Sequence, residues 1–119
     1  MPDQNKVARL VQQTLEQTRS DKIDWKTTPD DKIFSAVIAD GKYILKSFSH
    51  TDYENDEEIG PPSLALFSND NQLLVDITYK DEFVSLDDLA SIYQLARDNA
   101  LGIGKAIDEV LDFLDDIPF

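Results

Sequence analysis

The segment Lys32–His50, which reads KIFSAVIADGKYILKSFSH, constrains the fold of this chain more than any other segment. At its centre stands the pair Asp40-Gly41, with an apolar run on each side. Both residue types tolerate the positive φ angles of a two-residue hairpin turn, so the pattern predicts two antiparallel strands with Ile38 opposite Tyr43. Side chains alternate across a strand, so one face, predicted to be core, collects Phe34, Ala36, Ile38, Tyr43 and Leu45. The other face is mixed and carries Ile33, Ser35, Val37, Ile44, Lys46 and Phe48.

Three further strands are predicted around this hairpin. Lys22–Lys26 alternates polar and apolar residues, and Leu64–Phe67 and Leu73–Tyr79 flank the turn residues Asn69–Asn71. In the last of these strands, the alternation assigns Leu73, Val75, Ile77 and Tyr79 to one face and Leu74, Asp76 and Thr78 to the other. Consecutive hairpins usually pair as neighbours, so the simplest assembly is a five-stranded antiparallel meander.

An amphipathic helix is predicted before the strands, beginning after the capping residue Asp3 and ending near Ser20. Its apolar stripe consists of Val7, Leu10, Val11, Thr14, Leu15 and Thr18. Because the stripe is narrow, we expect this helix to lie over an edge or an end of the sheet.

A second helix is predicted from the cap Ser85, with a stripe of Leu86, Leu89, Ala90, Tyr93, Ala96 and Ala100. Gly102 is a candidate for its C-terminal cap, and Gly104 for the N-terminal cap of a last helix. One helix kinked at Gly102 is the alternative. The apolar stripe of the last segment is Ile107, Val110, Leu111 and Leu114. The predicted fold is therefore α+β, with one domain over residues 1–119: a helix, the meander, and two C-terminal helices packed on one face of the sheet.

The segment His50–Pro62 has no periodicity and is predicted to be a solvated loop. It carries five carboxylates, at Asp52, Glu54, Asp56, Glu57 and Glu58. Their spacing resembles the start of an EF-hand calcium loop, but Glu57 and Ser63 stand where that loop needs glycine and a bidentate glutamate. We therefore expect no metal site. His50 is the only histidine and has no evident nucleophile near it in sequence, so we expect a polar surface residue, no catalytic site and no cofactor.

The charge of the chain narrows the classes of partner. There are 24 acidic and 11 basic residues, giving a net charge of −13, which repels nucleic-acid phosphates and anionic lipid headgroups. Cysteine is absent, and no run approaches the ~18 apolar residues of a membrane span. We expect a cytoplasmic protein that binds a basic protein, and a homodimer is also compatible with the sequence.

The candidate partner-binding residues lie at the C-terminal end of the chain: Asp108, Asp112, Asp115, Asp116 and Phe119. Carboxylates near a helix C-terminus oppose the helix dipole, so they point to a role other than stability. The leading hypothesis is a non-enzymatic acidic protein of the inhibitor, immunity or antitoxin type. The alternative is a small acidic chaperone or adaptor. In size, acidity and an opening helix followed by three strands, the chain resembles chaperones of bacterial secretion effectors, although those have a helix where this chain has His50–Pro62. An enzyme without a recognisable site is the third hypothesis.

Overall fold

The computed structural model describes residues 3–52 and 57–117, with the side chains of 50–52 and 57–60 left out of the description. The chain forms a helix, five strands and two further helices, as the α+β prediction requires. The elements are α1 (Gln4–Arg19), β1 (Lys26–Thr27), β2 (Ile33–Ile38), β3 (Tyr43–Asp52), β4 (Glu57–Ser68), β5 (Leu73–Ile77), α2 (Leu86–Leu101) and α3 (Ile103–Asp115). All neighbouring strands pair antiparallel in the order β1-β2-β3-β4-β5, so the predicted meander is confirmed.

The hairpin of β2 and β3 has the predicted register, with Ile38 paired to Tyr43. Asp40 and Gly41 both adopt positive φ angles, 57° and 87°, and the Lys42 N–H donates to the Ala39 carbonyl at 3.2 Å. The predicted core face is buried at Phe34, Ala36 and Leu45. Tyr43, at the turn end of that face, is largely exposed, because the packing helix does not reach this far.

The core lies between the inner face of the sheet and α2. Leu45, Leu64 and Ile77 from the sheet are fully buried against Leu89 and Ile92 of the helix. The Ser85 hydroxyl caps α2 by accepting from the Asp88 N–H at 3.0 Å, as predicted. The predicted stripe was wrong in detail: Leu86 and Ala90 are exposed, and Ile92 replaces them. Leu86 is in the first turn, before α2 reaches the sheet.

The first helix packs chiefly along α2, and its Val7, Val11 and Leu15 belong to the same core cluster as the buried side chains of the sheet. Its C-terminal end holds Trp25, whose indole Nε1–H donates to the Thr18 hydroxyl at 3.1 Å. The Trp25 backbone N–H donates to Asn99 Oδ1 at 2.9 Å. Because Asn99 takes this donor, the predicted strand Lys22–Lys26 is reduced to the two residues of β1, which begin after Trp25.

The predicted solvated loop His50–Pro62 is largely a hairpin extension, which is a second correction. β3 continues to Asp52 and β4 starts at Glu57, with Thr51 paired to Glu58. The register shifts between Phe48 and His50, opposite Pro61-Pro62, because proline has no N–H to donate to the ladder. Glu54 and Asp56 lie outside the described residues.

The face assignment of β5 is also corrected at both ends. Leu66 pairs with Val75 but Phe67 pairs with Leu73, so a bulge places Leu73 on the outer face. Tyr79 follows the strand and lies on the outer side too. In the turn before β5, the Asp70 carboxyl accepts a hydrogen bond from the Ser68 hydroxyl and one from the Asp70 backbone N–H. Both hold the pKa of this carboxyl below its ordinary value.

Two C-terminal helices are present, not one kinked helix. Gly102 adopts φ 64° and ψ 37° and is the only residue between α2 and α3. Gly104 is therefore inside α3 and is not its cap.

Candidate functional site

The last helix, α3, is the one α-helix among the described residues in which no residue is buried. Among the helices and strands it contacts chiefly α2, so of the two C-terminal helices only α2 packs on the sheet. Extents of 64 × 38 × 26 Å agree with a helix that projects from the body. Five large apolar side chains on it are each 49–67% exposed: Ile107, Val110, Leu111, Phe113 and Leu114.

Projected down the helix axis at 100° per residue, the side chains of α3 fall on two opposite faces. The α3 apolar face consists of Ile103, Ala106, Ile107, Val110, Leu111 and Leu114, with Phe113 at its border. The α3 acidic face consists of Asp108, Asp112, Asp115 and Asp116. Projection from the body leaves both faces open to solvent, so each is available for contact with another molecule.

The structure brings the four predicted aspartates together on this one face. None of them forms an ion pair or a side-chain hydrogen bond with another described residue; Lys105 Nζ instead lies 3.9 Å from Glu109 Oε1. Asp115 is the last helical residue and Asp116 is the C-cap, where the helix dipole disfavours negative charge. Phe119, the fifth predicted residue, lies outside the described residues.

A second exposed apolar surface lies on the sheet face opposite α2, and we call it the outer groove. It encloses about 450 Å³ and is lined by Phe48, Pro61, Ser63, Ala65, Phe67, Leu73, Asp76, Thr78, Tyr79 and Lys80. Small residues, Ser63 and Ala65, form part of the lining, and the larger side chains stand around them. The Lys46 ammonium lies 4.4 Å from the centre of the Phe67 ring and donates to Asn71 Oδ1 at 3.1 Å.

Sequence reasoning missed the outer groove. Its formation depends on the β3–β4 extension that carries Pro61 and on the bulge that turns Leu73 outward. The sequence feature that could have indicated the groove was the mixed face of the first hairpin, on which Phe48 stands beside Lys46. Apolar and polar side chains together on one face indicate an apolar surface that the chain does not fully cover.

Metal-binding groupings of side chains do not appear in the described part of the chain. No cluster of three or more His, Cys, Asp or Glu side chains there is arranged to hold a metal ion. His50 lies in β3, and its side chain is outside the description. Within the same residues, no helix combines the length and apolar character needed to cross a bilayer.

Comparison of the chain with protein-family models, with curated proteins and with solved structures found no match in any of the three.

Proposed function

We propose that this protein is a non-enzymatic interaction protein that binds a basic surface of a protein partner through the α3 acidic face. The observation that carries the proposal is a projecting helix whose four aspartates are exposed and unpaired among the described residues. The net charge of −13 supports the same class of partner. Cysteine is absent, and we propose the cytoplasm as the location on that composition.

The proposed role of the aspartates is to accelerate encounter and to orient the partner. Exposed charges a few ångströms apart act together on an approaching basic surface, and that attraction weakens as salt shortens the screening length to ~10 Å at 0.1 M. Charges at the rim of an interface change the association rate more than the dissociation rate. Inhibitors of nucleases and antitoxins use acidic surfaces in this way against basic, phosphate-binding sites.

The test begins with capture of a partner from native lysate at low salt and its elution at moderate salt. The test variant replaces Asp108, Asp112, Asp115 and Asp116 with asparagine. The matched control makes the same charge change elsewhere on the exposed surface, at Asp21, Asp24, Asp31 and Asp40. We expect the α3 variant to associate at least 10-fold more slowly, with a flatter salt dependence, and the control to change much less. If the two variants slow association equally, the net charge of the protein sets the rate and the α3 acidic face has no special role.

A chaperone or adaptor of the secretion-chaperone type is the second candidate. The exposed apolar side chains of α3 and of the outer groove favour it, since a chaperone holds partly unfolded segments by apolar contacts. On this alternative, Leu111→Ala and Phe113→Ala, or removal of Phe119, weaken binding strongly. The four asparagine substitutions then leave the association rate and salt slope almost unchanged. The two candidates therefore predict opposite results from the same binding measurements.

A further inference from the structure

Two apolar surfaces stand uncovered in the part of the chain that the structure describes, and they cannot cover each other within one chain. The α3 apolar face projects from the C-terminal end of α2, which packs on the inner face of the sheet. The outer groove lies on the opposite face. A single residue, Gly102, joins the two helices, so there is no linker to carry α3 around the sheet edge to its own groove.

The two surfaces match in form. The groove lining includes small residues, Ser63 and Ala65, with the larger Phe48, Phe67 and Leu73 around them, so the sheet surface is lower between the larger side chains. Ala65 is 2% exposed although it belongs to the outer face and not to the core cluster, because the surrounding side chains enclose it. A helix with apolar side chains at i, i+3, i+4 and i+7 fits such a trough.

The charges of the two surfaces are also complementary. Lys46 and Lys80 stand at the groove, and among the described side chains that line it Asp76 is the one acidic residue. Asp108 and Asp115 border the α3 apolar face on the Leu111 side. Pairing of two α3 helices with each other would instead bring two acidic rims together, with Lys105 as the only base on each helix. Like charges in direct opposition weaken such a contact.

Coverage of both surfaces favours an exchange between two chains. A helix of 13 residues is ~20 Å long, and in the exchange each chain contributes both its α3 apolar face and its outer groove. Two such contacts, one in each direction, cover both apolar surfaces of each chain. A single pairing of α3 with α3 leaves both outer grooves exposed.

We propose that the α3 apolar face of one chain docks in the outer groove of a second copy, and that the exchange is reciprocal in a two-fold dimer. The α3 acidic face points away from the groove in this arrangement. The dimer therefore does not depend on the proposed partner binding, and it displays two acidic faces.

The first test is the mass in solution, measured by sedimentation equilibrium of the full chain. We expect twice the chain mass of 13.5 kDa. Leu111→Asp on α3 and Leu73→Asp in the groove should each weaken the dimer at least 10-fold. Both side chains are about half exposed, so the fold should survive, and circular dichroism verifies that it does. Asp112→Asn, on the opposite face of α3, is the control and should leave the mass unchanged. A monomer at several hundred micromolar, or a dimer that survives both aspartate substitutions, overturns the proposal.

The second test identifies the contact. The chain has no cysteine, so Phe113→Cys provides one site for a benzophenone photocrosslinker at the border of the α3 apolar face. The variant that carries the crosslinker is mixed with ¹⁵N-labelled chain and irradiated, and it should crosslink to labelled peptides from residues 61–80. Crosslinks to labelled α3 peptides would show helix-to-helix pairing. Absence of any crosslink between chains would leave α3 free for a foreign partner. Either of these results overturns the reciprocal exchange.

Discussion

Replacement of Ser47 by alanine should stabilise the protein. Ser47 lies in the middle of β3, paired with Phe34 on one side and Leu64 on the other, and it is fully buried. Its hydroxyl has no hydrogen-bond partner among the described residues. A buried hydroxyl without a partner costs roughly 1–3 kcal/mol relative to water, and alanine removes this cost while losing only the small contacts of one oxygen. We expect Ser47→Ala to raise the free energy of unfolding by about 1 kcal/mol.

Urea denaturation followed by circular dichroism measures this change, and a gain of 1 kcal/mol corresponds to roughly 3–6 °C in melting temperature for a chain of this length. Ser35→Ala is the matched control, because Ser35 is on the adjacent strand of the same hairpin but is only partly buried on the outer face. It should stay within about 0.5 kcal/mol of the parent. A loss of 1 kcal/mol or more in Ser47→Ala would mean that the hydroxyl has a partner, and the reasoning would fail.

Two further pairs of substitutions test the helix ends. Thr18→Val should lower the free energy of unfolding by about 1–3 kcal/mol, because it leaves the buried Trp25 indole N–H unpaired. Thr14→Val should lower it by less than about 1 kcal/mol in the same urea experiment, because the Thr14 hydroxyl bonds only to its own helix. Gly102→Ala should lower the free energy of unfolding by about 1 kcal/mol, since φ is +64° there. Gly104 lies inside a helix and has no atom within 4 Å of an added Cβ, so Gly104→Ala should increase the helicity measured by circular dichroism. A stabilising Gly102→Ala or a loss of helicity in Gly104→Ala would show that the two glycines have other roles.

The parts of the fold that local chemistry specifies were predictable from sequence. Asp40-Gly41 tolerates the two positive φ angles that a two-residue hairpin turn requires, so the register of β2 and β3 followed from two residues. Ser85 with Asp88 specified the start of α2 in the same way. Apolar alternation on either side of such signals was enough to order the five strands, because short connections pair sequential neighbours.

The parts that depend on distant residues were not predictable. The Asn99 side chain, which takes the backbone donor of Trp25, is remote in sequence from the strand that it shortens. The β3–β4 extension contains carboxylates and two prolines, which have low strand propensity, so its sequence predicted a loop. Its strand structure comes from pairing with the neighbouring strand. The bulge at Leu73 changed which side chains face outward without any change in the local pattern.

The exposure of α3 raises the question of what keeps this helix formed. Its apolar periodicity predicted a buried stripe, but the core closes through α1, α2 and the sheet without it. An isolated helix of 13 residues is marginal in water, and here Gly104 and the aspartates near the C-terminal end lower its stability further. A docked apolar face would supply the missing stabilisation, and the groove of a second chain offers a matching surface. The two faces of α3 would then have separate tasks, with apolar residues joining two chains and aspartates meeting a basic partner.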